Sequence, residues 1–352
     1  MSTGPDGGAS DQPLAGIKVV DLTRLLPGPL ATRHLAELGA EVFKIEGPAG
    51  EGQDDGMRTM GLGAAERRAV CENGEPALAF RSLNRGKHLL RLDLRTPGGV
   101  AALIEHVREA DVLVEGFRPG VMDRLGIGWQ TLRGVNPKLV MCAISGYGQR
   151  SVWAHRAGHD INYIAMTGVL EQIATVDGEP ALPNFQIGDL MGGTQAAVGG
   201  ILAALLGAER TGRGRFVDIS MAHEVLRHHV LASFSLQSTG RTPVPGGDLL
   251  SGGAPCYGVY RTADGRHLAV GALEPKFWQA LCDTIGRPDW AERHWSRGLV
   301  AGSSESMALR AELAAVLGGE PLAHWVSRFE AVDACVTPVL RLDETLVHPV
   351  FR

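Results

Sequence analysis

Cysteine is sparse in this chain: Cys71, Cys142, Cys256, Cys282 and Cys335 are odd in number, widely spaced and never form a C-x-x-C pair. A disulfide framework and a zinc-thiolate site are therefore not expected, and a reducing, cytoplasmic compartment is. Dense runs of one charge are lacking too. With 34 Lys and Arg against 39 Asp and Glu, the formal net charge is -5, which indicates neither a nucleic-acid surface nor an anionic-membrane surface. A small molecule is the expected partner. No apolar stretch reaches the roughly 20 uninterrupted residues of a membrane span; the best, "AAVGGILAALLGA", is short and glycine-broken. The opening "MSTGPDGGASDQPL" has no basic head or apolar centre, so it reads as a disordered leader over 1–14 and not as a signal peptide. No C-terminal S-K-L-type address is present either, which leaves a peroxisomal location without support.

What is present is material for a large core: 352 residues, 44% of them hydrophobic, about twice the usual single-domain length. From Gly16 short apolar runs alternate with amphipathic ones. "IKVVDL" (17–22), "AEVFKIE" (40–46), "DVLVEGF" (111–117) and "KLVMCAIS" (138–145) read as strands, with helices over "PLATRHLAELG" (29–39) and the proline-started "TPGGVAALIEHVREA". Repeated βα units imply an α/β fold, a mainly parallel sheet covered on both faces. Ligands of such sheets sit beyond the carboxyl ends of the strands. The turn after the first strand is "TRLLPGP", not G-x-G-x-x-G, and no Walker A sequence occurs, so nicotinamide and nucleotide chemistry are disfavoured. Downstream, "TGRTPVPGGDLLSGGAP" (239–255) reads as a linker. "YGVYRTADGRHLAVGAL" reads as a hairpin about Asp264-Gly265, followed by helices from Glu274-Pro275 and over roughly 305–317, giving a smaller α+β region.

Several side chains could carry chemistry. In "RAGHDINYIAMTG", His159 stands beside Asp160 at the head of an apolar run; a ring there is either tied down by a hydrogen bond or poised for proton transfer. Asp189 in "FQIGDLMGG" opens a long glycine- and alanine-rich helix running to about Glu209. It is either an N-cap or a carboxylate facing a site that Gly192 and Gly193 leave open. His223, Glu224 and His228 miss the H-E-x-x-H spacing by one residue, which removes the metal reading. A histidine and a carboxylate on opposite sides of a carbon would suit two-base isomerisation.

The stretches "PLAGIKVVDLTRLLPGPLATRHLAELGAEVFKIE", "SLNRGKHLLRLDLRTPGG", "ADVLVEGFRPGVMDRLGIGW", "AGHDINYIAMTG", "IGDLMGG", "GGAPCYGVYRTADGRHLAVGALEPKFW" and "DACVTPVL" resemble those of the family III CoA-transferases of CaiB/BaiF type, and within them the α-methylacyl-CoA racemases. They follow the family's order over nearly the whole chain. The resemblance implies an interlocked homodimer, each chain having a large Rossmann-like domain (15–220), a helix and linker (221–255), a small domain (256–340) and a C-terminal return segment (341–352), shorter than is usual in the family. It implies His159 and Asp189 as acid–base pair, serving the (S) and (R) faces, with Glu274 supporting His159. It also implies that Gly116, Phe117, Arg118 and Arg124, with Lys87 and Arg85 as weaker matches, bind coenzyme A, which belongs to the substrate and is no separate cofactor. The expected reaction is racemisation of 2-methylacyl-CoA thioesters through an enolate, helped by backbone N–H groups near Asp189, with Met166 and Met191 under the acyl chain. The alternative is CoA transfer through an Asp189 acyl anhydride.

Overall fold

The structure is a computed structural model that describes residues 11–48, 54–73, 75–174 and 178–352. It divides the chain into two compact units. The first runs to Leu170 and resumes over Leu182–Val230, and the second comprises Glu171–Ala181 and Leu231–Arg352.

Six parallel strands form the first unit's sheet: β1 (Lys18–Asp21), β2 (Glu41–Glu46), β3 (Lys87–Arg91), β4 (Val112–Glu115), β5 (Val140–Ser145) and β6 (Phe216–Ser220), ordered β3-β2-β1-β4-β5-β6. The α/β fold expected from the βα rhythm is the one observed. Alternation along β1 explains why its two central residues are both apolar. Val19 packs with Leu35, Val42, Val114 and Ile201 on one face, and Val20 with Leu22, Leu103, Leu113 and Met141 on the other. The helix Pro97–Glu109 starts where expected, with proline in its first turn and Thr96 Oγ1 accepting from Gly99 N–H at 3.1 Å. Strand β3 was not foreseen. It lies at the sheet edge with most of its side chains exposed, so "KHLLR" carries no two-sided apolar run to betray it.

Two expectations need correction here. Residues 11–14, assigned to a disordered leader, belong to the folded unit: Leu14 is buried in the core and its N–H donates to Leu38 O at 2.9 Å. Residues 1–10 of that leader lie outside the described residues. The helical run Gly188–Thr211 is 24 residues long and contains an 18-residue stretch with a mean hydropathy of 1.5, long and apolar enough to cross a bilayer. Glycine content hid its length, and Ala197, Ile201, Ala204 and Ala208 pack it as a core helix. Its first turns, Gly188–Gln195, are a π-helix, a widened form frequent at functional sites. Gly192 is required there, since a Cβ would come 2.5 Å from Met221 O.

The second unit holds an antiparallel sheet of β7 (Tyr257–Arg261), β8 (His267–Gly271) and β9 (Val336–Pro338), ordered β7-β8-β9. The hairpin turns at Asp264-Gly265 as expected, Gly265 having φ +76°. Trp278, Trp290, Leu309, Leu313 and Trp325 fill its core. The supposed linker 239–255 is not free chain. Gly253 O accepts from Ser306 Oγ at 2.7 Å, Gly252 O accepts from Arg310 at 2.7 Å, and Ala254 is buried in the core. Its glycines serve close backbone packing, which composition alone cannot tell from flexibility. The return segment is held on this unit, where Arg266 grips Glu344 with two bonds of 3.0 and 2.7 Å.

Candidate active site

A cavity of about 470 Å³ opens beyond the carboxyl ends of β1, β4 and β5, at the point where strand order reverses. That is where the rule for open parallel sheets places a ligand. Its walls are Thr23–Leu25 and Pro27–Gly28 after β1, Gly116–Pro119 after β4, Ser145 and Gly146 at the end of β5, Ala154, Arg156–His159 and Asn162–Tyr163, with Asp189 and Met221.

His159 and Asp189 line this one cavity. His159 is the N-cap of the helix Asp160–Met166, and its backbone N–H donates to Asn162 Oδ1 at 3.0 Å. The ring belongs to an exposed residue, not to a core histidine. Asp189 sits one residue into the π-helix, and its backbone N–H donates to Asp160 Oδ1 at 2.9 Å. It is not an N-cap. Burial, then the Asp160 charge, pushes the Asp189 carboxyl up to about 6, against the pull of His159. Beside them Tyr163 donates to Gly158 O at 2.6 Å and stacks edge-on with Tyr147, which meets Trp153 in the same way. Gly146 makes room for that ring, because a Cβ there would lie 2.5 Å from Tyr163 Cε1. The Asp189 N–H and that of Leu190, bonded to Gln186 O at 2.8 Å, are both occupied. The helix start near Asp189 therefore does not offer those two groups to an enolate.

The other expected residues fall into distinct places. Gly116, Phe117 and Arg118 line the cavity, and Arg124 lies close by Gly120, where a Cβ would stand 3.5 Å from its guanidinium. Lys87 is not available to a phosphate. Its side chain is enclosed, and Nζ donates to Pro29 O at 2.8 Å, Asn84 Oδ1 at 3.0 Å and Asp21 Oδ2 at 3.1 Å. Burial lowers its ammonium to about 8 despite Asp21. A lysine in "NRGK" looks like a surface cation until its surroundings are known. Arg85 is exposed, 3.6 Å from Glu37. Glu274 belongs to the second unit, where it is the N-cap of the helix Pro275–Thr284 and accepts from Phe277 N–H at 3.0 Å through its backbone. Met166 and Met191 do not line this cavity. Met166 borders a smaller groove of about 260 Å³ with Tyr147, Trp153 and Ala222, and Met221 is the methionine on the cavity wall.

Sequence reasoning missed Arg24, Arg156 and Asp160. Arg24 stands in the turn after β1, which the strand-end rule already marked, and Arg156 lies 4.4 Å over the Trp153 ring. Glu115, at the end of β4, was missed as well. It is buried and accepts from Phe117 N–H at 2.7 Å. Burial, with Asp218 and Asp123, pushes its carboxyl up to about 8. A carboxyl raised on folding adds stability fully below its unfolded value and loses it as pH rises through the folded one. Glu115→Gln, which keeps an acceptor for Phe117, is expected to flatten the decline in stability between pH 5 and 8 and to gain on the order of 2 kcal/mol at pH 8, read from urea midpoints across pH.

Among the described residues no group of three or more His, Cys, Asp or Glu could hold a metal ion. The cavity wall combines a raised carboxyl, an imidazole and the guanidinium groups of Arg24, Arg118 and Arg156. The model of CoA-transferase family III matches residues 14–352. The α-methylacyl-CoA racemase of Mus musculus is 37% identical over 338 residues, covering 95% of this chain and 80% of that protein. The acetyl-CoA:oxalate CoA-transferase of Acetobacter aceti is 35% identical over 344 residues, 96% of this chain and 83% of that one. Among solved structures, a CAIB/BAIF family protein from Brucella suis superposes with a TM-score of 0.79 at 26% identity, covering 97% of this chain and 87% of that one. Strand order, the cavity at its switch point and a match along nearly the whole sequence agree, and the chain belongs to CoA-transferase family III.

Proposed function

We propose that this family III enzyme interconverts the stereoisomers of 2-methylacyl-CoA thioesters by moving the α-proton between His159 and Asp189. The observation that carries the reading is their presence on the wall of one cavity, with the Asp189 carboxyl raised to about 6. A base must have a pKa near the working pH to take a proton and give it back, and the raised Asp189 carboxyl meets that need. Asn162, whose Oδ1 is engaged by the His159 backbone at 3.0 Å, has amide hydrogens left for the enolate oxygen. Arg118 and Arg156 supply guanidinium groups for the phosphates of coenzyme A. Glu274 as support for His159, the homodimer and a cytoplasmic location are parts of the same proposal. Light scattering of the purified chain tests the dimer, with a monomer at micromolar concentration counting against it.

Transfer of CoA through an acyl anhydride on Asp189 is the second reading. It is favoured by the transferases among the relatives, at identities close to those of the racemases. The deciding experiment is proton NMR of each enantiomer of a 2-methylacyl-CoA in D₂O without an acceptor acid. Loss of the α-hydrogen from both enantiomers supports racemisation; no exchange, with CoA transfer once a free acid is added, supports the second reading.

The electrostatics give a pH signature. When Asp189 acts as base it must be ionised, so kcat/KM in that direction falls as pH drops through about 6. In Asp160→Asn the Oδ1 acceptor for Asp189 N–H is kept but the like charge is gone. The acid limb is expected to move to lower pH, part of the way only, because burial is the larger cause. An unmoved limb in a full pH–rate profile would show that Asp160 does not tune the site.

A further inference from the structure

Arg24 is held in an unusual way. The peptide on its N-terminal side ends in Thr23 O, which accepts from Lys44 Nζ, and the peptide on its C-terminal side carries Leu25 N–H, which donates to Asp55 Oδ1 at 3.0 Å. Lys44 and Asp55 are both almost fully buried and stand 3.9 Å apart. The second Asp55 oxygen has no hydrogen bond, so that ion-pair contact is what Lys44 offers it. Upstream, Asp21 Oδ1 accepts from Thr23 N–H at 2.8 Å and from Thr23 Oγ1 at 2.5 Å. Leu25 is left with φ +66°, a left-handed conformation that a non-glycine residue adopts at a cost. Two buried charges thus fix both peptide planes that flank one exposed arginine. That arginine borders the main cavity and also a second crevice of about 220 Å³, between Ile45, Leu92 and Leu125.

Burying a lysine and an aspartate is expensive and gives little net stability relative to apolar replacements, so the arrangement calls for a use. Resting on the acyl-CoA reading above, we propose that the Lys44–Asp55 pair is a clamp that presents Arg24 to an oxyanion of the bound thioester. Lys44 and Asp55 are positioning residues; Arg24 is the binding residue. The oxyanion is either a phosphate of coenzyme A or a carboxylate on the acyl part, both of which suit a guanidinium fork.

The test is a double-mutant cycle with Arg24→Ala, Asp55→Ala and Leu25→Gly, reading Kd for coenzyme A by calorimetry and kcat and KM for α-hydrogen exchange of succinyl-CoA and butyryl-CoA in D₂O. Leu25→Gly loosens the turn at an exposed position that accepts glycine without strain, which keeps the test open if Asp55→Ala folds poorly. Arg24→Ala is expected to weaken binding about tenfold. Asp55→Ala and Leu25→Gly should weaken it severalfold with kcat little changed, and should cost nothing more once Arg24 is absent. Weakened binding of coenzyme A itself assigns the phosphate; a loss confined to succinyl-CoA assigns the carboxylate. Equal costs with and without Arg24, or no loss for any ligand, would overturn the proposal. Should the wild-type chain neither bind coenzyme A nor turn over a thioester, the functional reading fails by itself. Amide exchange at Leu25 then judges the clamp: faster exchange in Asp55→Ala supports it and unchanged exchange overturns it.

Discussion

Asp189→Ala is expected to lower kcat for racemisation by about three orders of magnitude while the protein stays folded. Removal of a positioned acid–base group typically costs 10²–10⁴-fold, and here no neighbour can replace it. Asp160, the nearest carboxylate named by the electrostatics, spends Oδ1 on the Asp189 backbone at 2.9 Å. Stability should suffer little, because the side chain is a raised carboxyl whose desolvation is the main influence on it, and alanine removes that burden. The measurement is NMR of the stereoisomers beside a thermal melt. Wild-type racemisation in the variant would dismiss Asp189 as a proton carrier.

His159→Gln should give an asymmetric result of similar size. Net interconversion needs both groups, so it falls by about the same factor, yet exchange with solvent needs only one base on one face. In D₂O the variant is expected to wash the α-hydrogen out of one enantiomer through Asp189 and to leave the other untouched. Glutamine keeps the volume of the ring, and the helix start rests on the backbone N–H to Asn162, so the substitution isolates the chemistry. Equal residual exchange from both enantiomers would mean that Asp189, or a group not named here, reaches both faces. No effect on either would return His159 to a capping role.

The sheet was legible because strands buried on two faces carry continuous apolar runs, as β4 and β5 do. The exposed edge strand β3 carries none, and its residues gave no signal. His159 and Asp189 were readable through their motifs, and the strand-end rule pointed to the right turns. What stayed hidden was the identity of neighbours: that Asp160 would lie under Asp189, that Glu115 would be sealed in, and that Lys87 would turn inward to Asp21. Each depends on contacts between residues 29 to 103 positions apart, and one-dimensional patterns hold no record of enclosure. The same blindness made the glycines of 239–255 look like a linker.

Buried charge in this protein has a practical reach beyond binding. For Asp21, burial would raise the carboxyl, but Lys44 and Lys87 together hold it well below the usual carboxylate range. The Asp21 carboxylate behind the turn after β1 therefore stays ionised over any ordinary pH, whereas Lys87, lowered to about 8, is the partner that loses its proton first as pH rises.

The π-helical start of Gly188–Gln195 has a different consequence, in the arithmetic of insertions and deletions. A wide turn accommodates a residue that a regular α-helix of 3.6 residues per turn would not. Losing one residue there would let the segment close into an ordinary helix with the turns on either side keeping roughly their faces, whereas the same deletion in the regular helix behind it would swing everything before it by about 100°. The stretch that carries Asp189 is thus the one part of this long helix where a change of length need not turn into a change of direction.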